Sequence, residues 1–189
     1  MIVSDISRRQ FVKSFALATS GAILTPKIVA ARSVPSSAFA ERSLHLHNTH
    51  TGEFFKEAFW AEGSFVESAL KDLNRLLRDW RTNDETTMCP DLMTLLWEVV
   101  KVMEVDPKKP LEIICGYRSP KTNEMLRRKK RGVAKHSKHL TGNAVDFYIP
   151  GVRLKTIRNT AVSFQKGGVG YYPRSGFVHV DTRPRPAVW

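Results

Sequence analysis

Two segments of the chain carry apolar residues at helical spacing. Over 65–80, apolar side chains recur every three or four positions, which predicts a helix with one buried face. Over 90–103 the same period follows a proline placed where a first helical turn accepts it, so a second helix is predicted there. Two further helices are expected over 121–131, closed by Gly132, and over 154–164.

Short alternating or apolar runs between these helices predict strands. Polar and apolar residues alternate over 43–48, and 53–60 is expected to return as the second strand of a hairpin. The remaining strands are predicted over 111–117, 144–149, 169–172 and 177–182, the last two forming a hairpin. The order of these elements predicts a single α+β domain, with a mainly antiparallel sheet flanked by helices.

The first 40 residues have the features of an export leader. A twin arginine at positions 8 and 9 precedes the apolar stretch 14–25, an arrangement that the twin-arginine translocase recognises. This stretch is shorter than the roughly 20 apolar residues that span a bilayer, so no permanent membrane span is expected. The triplet at 38–40 fits a small-x-small cleavage site. We therefore predict a signal peptide over 1–40, an exported domain over 41–189 and a periplasmic location, with an uncleaved amphipathic N-terminus as the alternative.

The chain is strongly basic, with a formal net charge of +12. The predicted leader holds five Lys/Arg and one acidic residue, so +8 remains in the domain. A basic surface often indicates nucleic acid, but an exported protein instead meets the cell wall, which is rich in peptide carboxylates and attracts positive charge at long range. Nucleic acid is therefore not an expected partner. The densest basic run, 127–131, is equally well explained as a solvated helix end.

The two cysteines leave their chemistry open. Outside the cytoplasm Cys89 and Cys115 could form a disulfide, or Cys115, which lies in an apolar run, could be a buried free thiol. Neither has a cysteine or histidine partner at the sequence spacing of zinc sites. A role for them as zinc ligands is therefore not favoured.

The second half of the chain contains a candidate metal site. His139, Asp146 and His179 supply two imidazoles and one carboxylate, a usual protein set for a catalytic zinc whose fourth position is left to water. Gly142 is placed to turn the chain so that a strand brings Asp146 back beside His139, and His179 lies on another predicted strand. Taken alone, the trio could equally be three unrelated polar residues.

The motifs around these residues resemble a known group of zinc peptidases. The segments 115–123, 137–146 and 168–181 are similar to those of D-Ala-D-Ala carboxypeptidases, phage endolysins, murein endopeptidases and the hedgehog signalling domain. Within this group the chain is most similar to the murein endopeptidase K subgroup, over nearly all of 41–189. The resemblance implies that His139, Asp146 and His179 bind Zn2+, that Arg118 binds the substrate near the scissile bond, and that Ser137 lines the same cleft.

The resemblance does not identify the general base. Many relatives carry a glutamate three residues before the last metal ligand or a histidine two before it, where this chain has Gly176 and Phe177. Asp181 could take a proton from bound water or could instead fix the tautomer of a metal-binding histidine. His136, three residues before the first ligand, is the other candidate base.

Together, these features imply a zinc-dependent murein endopeptidase that hydrolyses peptide cross-links in peptidoglycan. As in the murein endopeptidase K subgroup, the bond is expected to be the L,D bond at meso-diaminopimelate cross-links. The alternatives are a D,D-endopeptidase or carboxypeptidase, and a non-catalytic zinc-containing module that binds the cell wall. The expected partners are peptidoglycan peptide stems and, during export, the twin-arginine translocase.

Overall fold

The computed structural model describes residues 40–129 and 132–189. The predicted signal peptide over 1–40 lies outside these residues, except for its last position. The elements are β1 Arg42–Asn48, β2 Phe54–Ala61, β3 Ser64–Phe65, α1 Glu67–Leu76, α2 Pro90–Val102, β4 Leu111–Cys115, α3 Pro120–Lys129, a 3-10 turn Lys138–Thr141, β5 Ala144–Tyr148, α4 Leu154–Ser163, β6 Gly168–Tyr172, β7 Phe177–Asp181 and β8 Ala187–Val188. None of the helices in the described part of the chain is long and apolar enough to cross a membrane.

One sheet organises the described residues, with the strand order β3-β2-β1-β4-β5-β7-β6-β8. All neighbours are antiparallel except the pairs β1–β4 and β6–β8, which are parallel. The predicted α+β domain with a mainly antiparallel sheet is therefore confirmed. The strands β4, β5 and β7, which carry the candidate site residues or lead into them, are adjacent in the middle of the sheet.

The core forms where the apolar faces of the helices cover the sheet. Leu73 and Leu76 of α1, and Leu92, Leu96 and Val99 of α2, are almost completely buried. These residues recur at the spacing that predicted both helices, because positions three and four apart lie on the same face of a helix. Burial of each such side chain contributes about 1.5–3 kcal/mol, so the helices are stabilised mainly by this face.

The first helix ends four residues earlier than its apolar pattern predicted. α1 ends at Leu76 rather than at Trp80, and Leu77 O accepts a hydrogen bond from Tyr117 N at 2.7 Å. The backbone of Asp79 then pairs with Asp84 in an isolated bridge. The helical hydrogen bonds are replaced by bonds to a distant segment, which the local pattern does not encode.

The end of the segment after β7 forms a further strand, at a place where the sequence pattern predicted none. Residues 187–188 form a parallel strand beside β6, with Trp189 N donating to Val169 O at 3.1 Å and Tyr171 N donating to Trp189 O at 2.9 Å. This pairing extends the sheet by one short strand. It also brings the indole of Trp189 to the cleft described below.

Candidate metal centre

Strand pairing brings two of the three candidate ligands together. β5 and β7 are antiparallel, and Asp146 lies directly opposite His179 in their register. Directly opposite residues in adjacent strands point to the same face of a sheet. The carboxylate and the imidazole are therefore neighbours although 33 positions separate them in the chain.

A tight turn brings the third ligand to the same face. His139 lies in the 3-10 turn Lys138–Thr141, whose first cap is Ser137 and whose last cap is Gly142 in the left-handed region, with φ 67°. A Cβ at Gly142 would lie 2.5 Å from Thr87 O, so glycine is required here by both backbone conformation and space. The turn closes within three residues of β5 and directs His139 back toward Asp146.

The ligand atoms of the three residues converge on one point. His179 Nδ1 lies 2.7 Å from Asp146 Oδ1, and His139 Nε2 lies 3.2 Å from the same oxygen. The two ring nitrogens are 3.2 Å apart. All three side chains are buried, so this is a compact cluster with little contact to bulk water.

The outer hydrogen bonds determine which nitrogen of each ring carries its proton. His139 Nδ1 donates to Gly116 O at 2.7 Å, and His179 Nε2 donates to Asp181 Oδ2 at 3.1 Å, because a carbonyl and a carboxylate can only accept. The inner nitrogens therefore present lone pairs, which face each other and the Asp146 oxygen. Three lone pairs at this separation repel one another unless a cation lies between them, so the residues fit a divalent metal bound through two imidazoles and one carboxylate.

The charges of the cluster also indicate that it needs a positive charge when no metal is bound. Burial disfavours charge on both Asp146 and His139, yet the positive field of His139 holds the pKa of Asp146 well below its usual range. In return, the Asp146 carboxylate outweighs the burial of His139 and raises the pKa of its ring well above the ordinary value. A proton on His139 thus supplies the positive charge that a metal ion would supply.

Cys115 lies beside this cluster, which its sequence spacing did not indicate. It pairs with Asp146 in the ladder between β4 and β5, and its Sγ and the ligand atoms of His139 and Asp146 all lie within 4.8 Å of one another. Cys115 and Cys89 are both free thiols. The fold therefore places a soft potential ligand next to the three predicted ones.

Arg118 is held at the edge of the cluster with unused donors. Its Nη2 lies 3.9 Å from Asp146 Oδ2 and 3.5 Å from Cys115 Sγ, and its Nη1 donates to Asn123 Oδ1 at 3.4 Å. Its Nε is buried and has no hydrogen-bond partner in the described part of the chain. A buried donor without a partner is costly. Arg118 also lines the cleft described below.

A buried aspartate that the sequence did not single out positions this arginine. Ser119 directly follows Arg118 in the chain. Asp79 Oδ2 accepts hydrogen bonds from Ser119 N at 2.9 Å and from Ser119 Oγ at 2.7 Å. Arg118 N in turn donates to His139 O at 3.1 Å. The loop that carries Arg118 is therefore tied both to Asp79 and to the ligand turn. Nothing in the local sequence distinguishes Asp79 from an exposed aspartate.

The two candidate bases have contrasting surroundings. Asp181 is completely buried, and its oxygens accept hydrogen bonds from His179, from Gly168 N at 3.0 Å and from Arg183 Nη2 at 2.6 Å. Burial opposes this, but the hydrogen bonds from His179 and Arg183 hold the pKa of Asp181 well below its usual range. His136 is exposed on the wall of the cleft, and its ring makes no hydrogen bond with any other described residue.

The cluster opens into a cleft of about 840 Å³. Ser137 lies on the cleft wall beside the cluster, and its Oγ accepts a hydrogen bond from His139 N at 3.4 Å. Several basic and aromatic side chains line the rest of the cleft: His50, Arg81, Lys138, Tyr172, Phe177 and Trp189. The cleft thus extends beyond the cluster, and its walls are more basic than acidic.

A buried pair of imidazoles and a carboxylate, open to a cleft beside an arginine, is the donor set of a metal-dependent hydrolase. Comparison with known proteins agrees with this class. The chain belongs to the family described as peptidoglycan L,D-endopeptidase MepK, whose sequence model matches residues 36–187. The resemblance to the murein endopeptidase K subgroup is therefore confirmed, and the protein is a metallopeptidase of that family.

Relatives in this family match the chain over almost its whole length. The peptidoglycan L,D-endopeptidase MepK of Escherichia coli strain K12 is 41% identical over 180 residues, which cover 95% of this chain and 96% of the relative. The probable peptidoglycan L,D-endopeptidase MepK of Haemophilus influenzae is 39% identical over 180 residues, covering 95% and 94% respectively. No solved structure matches the chain significantly.

Proposed function

We propose that the protein is a zinc-dependent murein endopeptidase that hydrolyses L,D bonds at meso-diaminopimelate cross-links of peptidoglycan. The observation that carries this proposal is the convergence of His139 Nε2, Asp146 Oδ1 and His179 Nδ1 within 3.2 Å of one another at the base of a cleft. The bond preference is supported by the relatives that match the chain, which are L,D-endopeptidases by name.

Zinc is the metal that this donor set fits best. Two imidazole nitrogens and one carboxylate oxygen leave one tetrahedral position open, and the adjacent thiol of Cys115 is a ligand type that zinc also accepts. When bound, a zinc ion supplies an activated water near neutral pH and polarises a carbonyl group. In this assignment His139, Asp146 and His179 hold the ion, and the buried outer hydrogen bonds keep the two rings in the required tautomer.

Substrate binding is assigned to Arg118 and Ser137. The guanidinium lines the cleft and lies 3.9 Å from Asp146, so it can bind a carboxylate or carbonyl next to the scissile bond through its planar fork. The Ser137 hydroxyl lies on the wall of the same cleft and can donate to a backbone carbonyl of the substrate. Both side chains would orient the peptide rather than take part in bond breaking.

The roles of the two candidate bases follow from their surroundings. Asp181 is buried and its carboxylate is fully used by His179, Gly168 and Arg183, so we assign it to positioning the His179 ring. His136 offers an exposed imidazole on the cleft wall. A neutral imidazole there can accept the proton that the attacking water loses, so His136 is proposed as the general base.

The charge of the cleft supports a cell-wall substrate. Arg81, Arg118 and Lys138 line it, and peptidoglycan stems carry free carboxylates that such a surface attracts. The substrate lies outside the cytoplasm. The proposal therefore includes export through a twin-arginine signal peptide over 1–40, mediated by the twin-arginine translocase, and action of the domain 41–189 in the periplasm.

Digestion of purified peptidoglycan tests this function directly. Mature protein, residues 41–189, would be incubated with peptidoglycan and the products resolved by mass spectrometry, alongside His179→Ala protein and a chelated sample. We expect cross-linked dimers to disappear only in the untreated wild-type digest, and zinc to restore the chelated sample. Fragment masses distinguish cleavage of an L,D bond from cleavage of a D,D bond.

One result would favour a different class of protein. The glutamate or histidine that many relatives carry before the last ligand is replaced by Gly176 and Phe177, which is the observation behind a non-catalytic wall-binding module. If the protein binds zinc and sediments with peptidoglycan but the dimers survive, the endopeptidase assignment is wrong. If no terminal D-alanine is released either, which excludes a carboxypeptidase, the result would identify a zinc-containing binding module.

A further inference from the structure

Two aromatic side chains on one wall of the cleft are joined by a hydrogen bond. Trp189 Nε1 lies 2.7 Å from the hydroxyl oxygen of Tyr172, and both side chains line the cleft that contains the metal ligands. An indole N–H can only donate. The Tyr172 oxygen is therefore the acceptor in this pair, and the direction of the bond is determined by chemistry alone.

The proton of the Tyr172 hydroxyl is left available. A phenol can donate one hydrogen bond while accepting another, and the Tyr172 hydroxyl donates to no other residue in the described ranges 40–129 and 132–189. The indole holds the oxygen in place on one side. The hydroxyl proton can then be donated to a group bound in the cleft. Because the oxygen already accepts a hydrogen bond from Trp189, the hydrogen bond that the hydroxyl donates is stronger.

The position of Trp189 is determined by several independent contacts. Both backbone groups of Trp189 bond to β6: its N–H donates to Val169 O, and its carbonyl oxygen accepts from Tyr171 N. The guanidinium of Arg183 lies 4.6 Å from the indole ring, and the His179 ring lies 5.4 Å from it. The indole is therefore next to a candidate metal ligand, and its N–H donates to Tyr172.

A glycine makes room for this arrangement. A Cβ at Gly170 would lie 2.8 Å from Trp189 Nε1 and 2.8 Å from Tyr172 Cε2, closer than side chains approach without displacement. Tyr172 is further held by stacking on Phe177, with 4.8 Å between ring centroids. The Tyr172 hydroxyl is thus preorganised before any substrate binds.

We propose that Tyr172 is a catalytic residue that donates a hydrogen bond to the scissile carbonyl oxygen as that oxygen becomes negatively charged, and that Trp189 is the positioning residue that aims it. The inference rests on the proposed peptidase function and adds a specific electrostatic component to it. A donor that is already held in place stabilises developing charge without having to reorient during the reaction. Its contribution therefore falls on kcat rather than on substrate binding.

Three variants separate this role from a purely structural one. Tyr172→Phe removes the hydroxyl and keeps the ring, and Trp189→Phe removes the N–H but keeps an aromatic ring against Arg183 and His179. We expect Tyr172→Phe to lower kcat roughly 100-fold, the loss typical of a missing donor to the charged oxygen, with KM changed little. Trp189→Phe should lower kcat less, and the double variant should be no slower than Tyr172→Phe, because Trp189 acts through Tyr172.

The neighbouring Tyr171→Phe is the matched control, since Tyr171 lies in the same strand but does not line the cleft. It should keep wild-type kcat. Zinc content and melting temperature of every variant, measured beside the kinetics, identify any that fail to fold or to bind metal. A second readout is the affinity for a phosphinate analogue of the cross-link dipeptide on either side of the scissile bond. The oxygens of its tetrahedral phosphorus mimic the negatively charged oxygen that forms from the scissile carbonyl. Tyr172→Phe should weaken it by the same factor by which it lowers kcat/KM.

Several results would overturn the inference. Wild-type kcat in zinc-loaded Tyr172→Phe protein, a loss expressed only in KM, or unchanged affinity for the phosphinate would each exclude Tyr172 as the donor. Losses from Tyr172→Phe and Trp189→Phe that multiply in the double variant would exclude Trp189 as its positioning residue. Failure of the wild-type protein to cleave dimers is a separate result, which removes the proposed function itself and the inference with it.

Discussion

Asp181 Oδ2 lies 3.1 Å from His179 Nε2, and the carboxylate that makes this contact is completely removed from solvent. We expect Asp181→Asn to weaken zinc binding about 10–100-fold, because a neutral amide holds the ring and its tautomer less firmly. With saturating zinc, most of the kcat should return. Competition titration against a chromophoric chelator measures the affinity, and Asp91→Asn, at an exposed position on α2, should leave it unchanged. Unaltered zinc affinity combined with lost kcat would instead identify Asp181 as the base.

Arg118 cannot be replaced by lysine without loss if it binds the substrate through its planar fork. Lysine keeps the charge but offers no pair of parallel donors. We expect Arg118→Lys to lower kcat/KM for cross-linked muropeptides by about 10–100-fold, equivalent to about 1.4–2.8 kcal/mol. Steady-state kinetics on purified dimers measure this. Arg127→Lys, at an exposed position in the last turn of α3, is the matched control, and an equal effect there would point to a general charge effect.

The thiol of Cys115 makes the site sensitive to alkylation. It lies on the cleft wall within 4.8 Å of the candidate metal-binding atoms of His139 and Asp146, so a carboxymethyl group attached to it would occupy the space of the metal or the substrate. Iodoacetate should abolish activity, and bound zinc should slow that loss. Cys115→Ala should bind zinc and resist the reagent, whereas Cys89→Ala should remain sensitive. Persistent inhibition of Cys115→Ala protein would show that another group reacts.

Asp79 should stabilise the fold in a pH-dependent way. Burial opposes ionisation of Asp79, but hydrogen bonds from Thr122 and Ser119 outweigh burial and lower its pKa. A carboxyl with a depressed pKa stabilises the protein above its unfolded pKa, about 3.9, and this contribution is lost as the pH falls toward the folded value. We expect Asp79→Asn to reduce the free energy of unfolding by about 1–3 kcal/mol at pH 7 and by much less near pH 3.

Urea denaturation of both proteins at the two pH values measures this difference. Asp72→Asn, at an exposed position of α1, should change stability little at either pH. An Asp79→Asn deficit of the same size at pH 7 and pH 3 would contradict the ionic contribution.

Gly142 should tolerate no side chain. Alanine there would occupy the left-handed region and would meet Thr87 O at 2.5 Å, so we expect Gly142→Ala to destabilise the protein by about 2 kcal/mol or more and to weaken zinc binding by displacing His139. Gly176→Ala separates the two causes, because Gly176 also has positive φ but nothing lies within 4 Å of its Cβ position. Its cost should be about 1 kcal/mol. Equal losses in thermal or urea unfolding would show that backbone strain, not the contact, dominates.

The elements that the sequence predicted well are those whose pattern is local. The helices 90–103 and 154–164 and the hairpin 169–182 are present with ends within a residue or two, because one buried face imposes a repeat that is visible along the chain. The first helix was predicted too long, since Trp80 continues the apolar repeat although Leu77 O bonds to Tyr117 N instead. A competing long-range hydrogen bond leaves no trace in a local pattern.

The candidate site also contains residues that the sequence predicted and residues that only the fold brings to it. The motif around His139 and Asp146, with the distant His179, was sufficient to predict the ligand trio and the family, because ligand types and the Gly142 turn are written in consecutive residues. Asp79, Cys115 and Trp189 were not predicted as parts of the site. Asp79 and Cys115 arrive there through contacts with residues 40 and 31 positions away, and Trp189 through pairing with β6 and a bond to Tyr172, 17 positions away. Composition and spacing do not specify these contacts.

The sequence by itself therefore determined the class of fold and the family, and it named the candidate metal donors. Only the tertiary structure decided the tautomers of His139 and His179, the burial of Asp181 and the direction of the hydrogen bond from Trp189 to Tyr172. The physical reason is that hydrogen-bond direction and pKa depend on which groups face each other across strands. That arrangement is decided by the register of the sheet and by the packing of the helices on it, which act over the whole domain.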